Sequence, residues 1–145
     1  MLIGKGELAK LIPHAGAMCL LDGVLSWDTK SIRCIATSHR DGHNPLSRDG
    51  RLPAVSGIEY ASQAMAAHGR LAGAVGEQPR AGYLASLRSL VLQTEYLNSL
   101  DGDLVVDAEK LLGDELRVIY QFALSCDGVE LVTGRAAVVL DAGTR

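Results

Sequence analysis

The residues best suited to chemistry in this sequence are one carboxylate and two histidines that precede it. Glu59 follows Ser56 by three residues, which is the spacing of a capping box at the start of a helix. We therefore expect a helix from about Gly57 to Ala74 that holds Glu59 in its first turn. A carboxylate fixed at the positive end of a helix is a candidate catalytic acid or base.

His43 and His39 lie sixteen and twenty residues before Glu59. Both belong to the stretch Ser38–Pro53, which has no apolar period and contains turn-forming glycines and prolines. A loop of this length in a compact domain usually has a function. Because histidine exchanges protons near neutral pH, His43 and His39 are candidate partners of Glu59, and the alternative is that both are ordinary loop residues.

Other polar residues around the acid have weaker claims to a role in chemistry. Gln63 lies one helical turn after Glu59 and could orient its carboxylate by a hydrogen bond. His14 and His68 are expected to have structural roles, since His68 is two and a half turns beyond Glu59. The four histidines and three cysteines show no metal-ligand spacing, so we expect neither a metal ion nor a cofactor.

The elements that must position these residues are one helix and a series of strands. Between Ala61 and Ala74 the helix contains six alanines and two glycines, so another backbone can approach it closely. Before the helix, Met18–Leu25 and Ser31–Thr37 are predicted strands, and Gly76–Pro79 is the expected stop of the helix. After it, four strand patterns follow at Tyr83–Leu97, Leu104–Leu112, Glu115–Cys126 and Leu131–Leu140, with turns at Leu100–Asp103, Gly113–Asp114 and Asp127–Gly128. We predict an α+β fold with one domain over residues 1–145, in which a curved antiparallel sheet of about six strands wraps the helix and leaves an edge for a second copy.

Composition excludes several classes of function. The 145 residues suit one domain, and 48% of them are hydrophobic. A net charge of −3 with no basic stripe argues against nucleic acid as a partner. The sequence has no apolar run long enough to span a membrane and no signal-peptide pattern, and its three cysteines have apolar neighbours. We therefore expect a cytoplasmic location.

Two stretches resemble a known family. Leu11–His14 followed by Met18–Val24 resembles the opening of the hot-dog-fold 3-hydroxyacyl-[acyl carrier protein] dehydratases, and Gly57–Ala64 looks like the start of their central helix. Leu100–Asp103 resembles their turn before a later strand. With Gly50–Pro53 ahead of the helix, the sequence is most similar to the divergent dehydratase-like branch found with aryl-polyene pathways.

The resemblance implies a hot-dog dimer that holds a thioester of acyl carrier protein in a tunnel at its interface. It implies that Glu59 works with a histidine from the other subunit. It also implies that the helix start, with Gly57 and Ile58, polarises the thioester carbonyl beside Gln63, so that water can leave the 3-hydroxyacyl chain.

The sequence departs from this family at the histidine. The best-known members carry it in a Gly-His-Phe-Pro-Gly segment about fourteen residues before the acid, where this chain has Pro45. His43, or else His39, could replace it if the loop is rebuilt. The alternatives are a thioesterase, in which Glu59 activates water, and a non-catalytic subunit that forms a mixed dimer with a related dehydratase.

Overall fold

The computed structural model describes residues 2–12, 18–73 and 82–140, except for the side chain of Tyr83. Within these ranges the chain forms seven strands and two α-helices. In chain order the elements are β1 (Ile3–Gly4), α1 (Lys5–Leu8), β2 (Gly23–Trp27), β3 (Ser31–Ala36), α2 (Gly57–Leu71), β4 (Gly82–Leu92), β5 (Leu104–Gly113), β6 (Arg117–Cys126) and β7 (Val129–Leu140). Short 3-10 turns occur at Ser38–Arg40 and Ala54–Ser56.

All seven strands belong to one antiparallel sheet with the order β1-β2-β3-β5-β6-β7-β4. The helix α2 packs on one face of this sheet, against β3, β5 and β6. The α+β hot-dog fold predicted from the sequence is confirmed. The seventh strand is β1, whose two residues pair with β2 and are too few to leave an alternating pattern in the sequence.

Small residues let α2 lie close to the sheet. The buried face of the helix combines alanines with a few larger side chains: Gly57, Tyr60, Ala61, Gln63, Ala64, Met65, Ala67 and His68. Alanine on this face costs little side-chain entropy and leaves room for the sheet to approach. The opposite side, with Glu59, Ser62 and Ala66, is only partly covered in the single chain.

The hairpin between β6 and β7 shows how local sequence determined the sheet. In β6, buried residues alternate with less buried ones along most of the strand, as expected for one face on the core. Asp127 and Gly128, with φ of 51° and 81°, form the two-residue turn that the Asp-Gly pair predicted. Glycine is suited to this φ because it has no Cβ.

Two predicted strands differ in their bounds from the observed ones. The strand expected at Met18–Leu25 is observed at Gly23–Trp27. Residues 19–21 are buried without pairing as a strand, because an apolar run signals burial and not the strand itself. The strand expected at Tyr83–Leu97 ends at Leu92. In the described part of the chain, no helix is long and apolar enough to cross a membrane.

The helix is observed to Leu71, and Ala74, where its end was expected, lies outside the described residues. The predicted stop signal at Gly76–Pro79 also lies outside them.

Candidate active site

The start of α2 differs from the predicted capping box. The 3-10 turn Ala54–Ser56 runs directly into the helix, so Ser56 has helical angles, with φ −61° and ψ −18°. Its side chain makes no capping hydrogen bond, and its backbone N–H donates to the carbonyl of Pro53 at 2.9 Å. The capping box is therefore wrong, because the preceding turn already satisfies the donor that Glu59 would have accepted from.

Gly57 brings the helix start into contact with the sheet. A Cβ placed on Gly57 would lie 3.1 Å from Leu124 Cδ2 and 3.3 Å from Val132 Cγ2. Its N–H is directed at the carbonyls of Ala54 and Val55 within the 3-10 turn. Gly57, expected to bind substrate, is thus placed as a buried packing residue. Ile58, expected to bind substrate with it, is partly exposed.

An open groove of about 500 Å³ lies beside the helix start. It is formed by two segments: Pro53, Ala54 and Val55 on one side, and Leu92, Gln93, Thr94 and Glu95 on the other. The segments are joined because the N–H of Ala54 donates to the carbonyl of Glu95 at 2.9 Å, and Pro53 pairs with Tyr96. The groove is thus a fixed feature of the fold at the end of β4.

Glu59 lies one helical turn beyond Val55, which lines this groove. Its side chain is partly exposed in the single chain. The backbone N–H of Val55 has no hydrogen-bond partner among the described residues. The segment that lines the groove therefore carries a backbone donor, and the carboxylate of Glu59 follows it by one helical turn. A donor and a carboxylate close together can bind a carbonyl and exchange a proton beside it.

Glu95 is a second carboxylate that the sequence analysis did not select. It lies directly in the groove lining, at the end of the segment that follows β4. No helix or histidine spacing marks it in the sequence, and long-range pairing, including the bond from Ala54 to Glu95, brings it to the helix start. Any experiment on Glu59 therefore needs Glu95 as its comparison.

Gln63, expected to orient Glu59 or bind substrate, forms hydrogen bonds to the segment that precedes β2. Its Oε1 accepts from the N–H of Leu20 at 2.9 Å, and its Nε2 donates to the carbonyl of Met18 at 2.7 Å. The side chain is 1% exposed. Both ends of the amide are thus occupied in holding the residues around Met18 onto the helix.

His39 has a structural environment. It is 1% exposed, and its Nε2–H donates to the carbonyls of Leu100 at 3.1 Å and Gly102 at 2.9 Å. Because carbonyls only accept, these bonds fix the tautomer, and Nδ1 is a buried acceptor without a partner among the described residues. Burial lowers the pKa of His39, so the ring is neutral near pH 7. It does not hydrogen-bond to Glu59.

His43 is on the surface of the single chain. Its side chain is 96% exposed, and its Nδ1 lies 3.8 Å from the carboxylate of Asp41. Nothing else in the described residues positions the ring, and it makes no hydrogen bond to Glu59. The structure thus brings neither His43 nor His39 to the acid within one chain. His14 lies outside the described residues.

A buried polar cluster holds the long loop against α2. The Tyr60 hydroxyl lies 2.7 Å from Ser38 Oγ, which itself donates to the carbonyl of Leu20 at 2.7 Å. Asn44 Nδ2 donates to Tyr60 at 3.1 Å and to the carbonyl of Ser38 at 2.9 Å. Sequence reasoning missed this cluster, although Asn44 is next to His43. The loop is therefore anchored by Asn44, and the histidine beside it points to solvent.

His68 is an interior histidine, as expected. Its Nε2–H donates to the carbonyl of Asp28 at 2.9 Å, and its Nδ1 accepts from the hydroxyl of Tyr120 at 2.7 Å. Burial lowers the pKa of His68 and raises that of Tyr120 to about 12. His68 connects α2 to β6 and to the end of β2, far along the helix from Glu59.

Comparison with known proteins identifies the family. The profile of the ApeP-like family, described as ApeP dehydratase, matches residues 6–142. The chain belongs to the ApeP-like dehydratase family. Its fold matches a solved structure described as the dehydratase heterocomplex ApeI:P from Xenorhabdus doucetiae with a TM-score of 0.82 and 28% identity, over 92% of this chain and 90% of that one.

More distant structures share the fold of this ApeP-like chain. A thioesterase from Haemophilus influenzae matches with a TM-score of 0.68 and 13% identity, over 97% of this chain and 95% of that one. The zebrafish thioesterase superfamily member 2 matches with a TM-score of 0.65 and 14% identity, over 94% and 95% of the two chains. No curated protein sequence matches the chain.

Proposed function

We propose that this chain is the acid-bearing subunit of a mixed hot-dog dehydratase. In this complex Glu59 acts on a 3-hydroxyacyl thioester of acyl carrier protein, and a histidine-bearing subunit completes the site. The observation that carries the proposal is the position of Glu59 in the first turn of α2, one turn beyond the groove-lining Val55, while His39 bonds to the carbonyls of Leu100 and Gly102 and His43 lies at the surface. Membership of the ApeP-like dehydratase family supports the reaction class.

Dehydration of a 3-hydroxyacyl thioester needs two proton transfers. A base takes the proton from the α-carbon, and an acid gives a proton to the departing hydroxyl, so that water leaves and a double bond forms. One carboxylate cannot fill both roles in the same step. Glu59 supplies one of them, and a histidine supplies the other.

His39 and His43 are poorly suited to that second role. His39 would lose its bonds to two carbonyls if it turned toward the substrate. His43 is not fixed by its surroundings, and a general base needs a defined position relative to the proton that it takes. A histidine from another subunit meets both requirements without rebuilding the loop that Asn44 and Tyr60 anchor.

The open side of the molecule suits a partner subunit. The groove is open to solvent, and the partly covered face of α2 with Glu59 is beside it. A neighbouring subunit would close the groove and exclude water, which strengthens the electrostatic effect of the Val55 N–H on a thioester carbonyl. The Xenorhabdus doucetiae structure is described as a heterocomplex, which favours a mixed dimer here over a homodimer.

The three free, buried cysteines favour a reducing compartment, so we retain the cytoplasm as the location.

The test is an assay of product formation. The chain is incubated with short and medium 3-hydroxyacyl thioesters of acyl carrier protein, alone and with a histidine-bearing hot-dog subunit from the same organism. We expect an enoyl thioester only from the mixture. A free carboxylic acid would instead identify a thioesterase. Full dehydration by this chain alone, lost on His43→Asn substitution, would show that the histidine is its own.

A further inference from the structure

The strand β4 is a long, apolar edge of the sheet. It lies at one end of the strand order, and among the described residues it pairs with β7 alone. Its exposed apolar side chains are Leu84, Leu90, Val91 and Leu92, and its single charged residue is Arg88. Such edges are usually blunted by charges or covered by another chain. This strand is therefore a candidate contact surface for a partner subunit.

Two arginines face each other on the outer side of the sheet at this edge. Arg88 on β4 is directly opposite Arg135 on β7, and both are exposed. Neither forms an ion pair within the described residues. Like charges in this position destabilise a sheet. In contrast, Arg33 on β3 is opposite Asp107 on β5, and the two form hydrogen bonds of 2.8 and 3.3 Å.

The neighbouring strands offer little negative charge to balance these arginines. The charged residues of β6, β7 and β4 are Arg117, Glu130, Arg135 and Arg88. Glu130 is five residues from Arg135, which is roughly 17 Å along a strand. Across the sheet, Gln121 separates Arg135 from Glu109. This edge is thus basic, although the whole chain has a net charge of −3.

A β-bulge immediately follows Arg88. The register between β4 and β7 shifts between Arg88 and Val91, and Ser89 has a φ of 55°, in the left-handed region that most residues avoid. A bulge leaves one residue unpaired and redirects its neighbours. It therefore interrupts regular pairing at Arg88 and keeps this side chain at a defined point of the edge.

We propose that Arg88 and Arg135 select the partner: they favour a subunit whose edge strand carries carboxylates, and they disfavour a second copy of this chain. The inference rests on the mixed dimer proposed above. A second copy would bring the same β4, which contains no acid. If two copies paired through the middle residue Leu87, their Arg88 residues would lie roughly 8 Å apart, with both copies of Arg135 next to them.

The test uses a charge-reversed copy of the chain as the probe. Wild type is mixed with the Arg88→Glu/Arg135→Glu variant, and dimers are measured by native mass spectrometry and sedimentation equilibrium. At low salt, we expect the mixed dimer to be about tenfold tighter than the wild-type homodimer. This difference in affinity should shrink in about 0.5 M salt, because salt screens the charges. Arg117→Glu, on the same sheet but two strands from the edge, should show no such preference.

A second variant keeps the inference testable if charge reversal prevents folding. Arg88→Gln/Arg135→Gln removes the repulsion without adding charge, so it should self-associate more tightly than wild type. A wild-type homodimer that is insensitive to salt, and no tighter in the neutral variant, would overturn the inference.

Binding of the histidine-bearing subunit distinguishes failure of the proposed function from failure of this inference. If the histidine-bearing subunit does not bind wild type at all, the mixed dimer fails. If it binds wild type and the charge-reversed variant equally well, only the role of Arg88 and Arg135 fails.

Discussion

Two buried histidines should make the stability of this protein fall as the pH is lowered below 6.5. His39 and His68 are each 1% exposed, and each donates its Nε2–H to backbone carbonyl oxygens. Burial lowers the pKa of both below the ordinary value of 6.5. Unfolding exposes them to water, where they regain that value and take up protons.

The direction and size of this pH effect on stability follow from the number of protons bound in the folded and unfolded states. Between the folded and unfolded pKa values, the unfolded chain binds one more proton at each histidine, so the free energy of unfolding falls with falling pH. Each proton contributes about 1.4 kcal/mol per pH unit, so His39 and His68 together contribute about 2.8 kcal/mol per unit. Above pH 6.5 this contribution to stability is fully present.

The assay is urea unfolding at fixed protein concentration between pH 8 and 5.5, since association also affects stability. His68→Gln removes one titrating group but keeps an amide that can donate to the carbonyl of Asp28. We expect this variant to be less stable, and its free energy of unfolding should change with pH about half as steeply as that of wild type. Carboxylates such as Asp114, whose pKa is lowered from 3.8, titrate below this range.

The reasoning would be refuted by a wild-type stability that does not change between pH 7.5 and 5.5. A slope that persists in a His39→Gln/His68→Gln variant would also refute it.

Two further changes test the packing around the site. Tyr60→Phe removes the hydroxyl that joins Ser38 and Asn44, so the free energy of unfolding should fall by about 1–2 kcal/mol; unchanged stability in urea would show that the cluster does not anchor the loop. Gly57→Ala places a methyl group 3.1 Å from Leu124 Cδ2, so the helix start must shift. The free energy of unfolding should fall by about 1–3 kcal/mol. A melting temperature equal to that of wild type would contradict this close packing.

Periodicity and turn chemistry predicted most of the fold. The alternation in β6 and the Asp127–Gly128 turn are local features, and the structure realises both. The capping box failed because Ser56 belongs to a 3-10 turn whose bonds to Pro53 and Gly57 satisfy the helix start. A sequence pattern cannot distinguish these two ways of starting a helix, since both place a serine before the first turn.

The candidate site was less predictable because its contacts join distant parts of the chain. His39 bonds to Leu100 and Gly102, more than sixty residues away in sequence, and nothing local to His39 indicates this. Spacing along the chain gave the separation between His43 and Glu59, but it could not give the direction of the ring. Glu59, by contrast, was selected as a candidate because of its position in the first helical turn, and the structure places it in that turn.

The claim that Glu59 supplies a proton-transfer group to a mixed dehydratase is tested most directly by turnover of the mixed complex. The complex of this chain with a histidine-bearing hot-dog subunit is purified with Glu59→Gln, with Glu95→Gln, and without substitution. Formation of the enoyl thioester of acyl carrier protein is then measured. We expect Glu59→Gln to reduce turnover by about 10²-fold or more with the complex intact, and Glu95→Gln, which keeps a side chain of the same size in the groove lining, to have a much smaller effect. Unchanged turnover with Glu59→Gln would contradict the account and show that this chain only stabilises its partner.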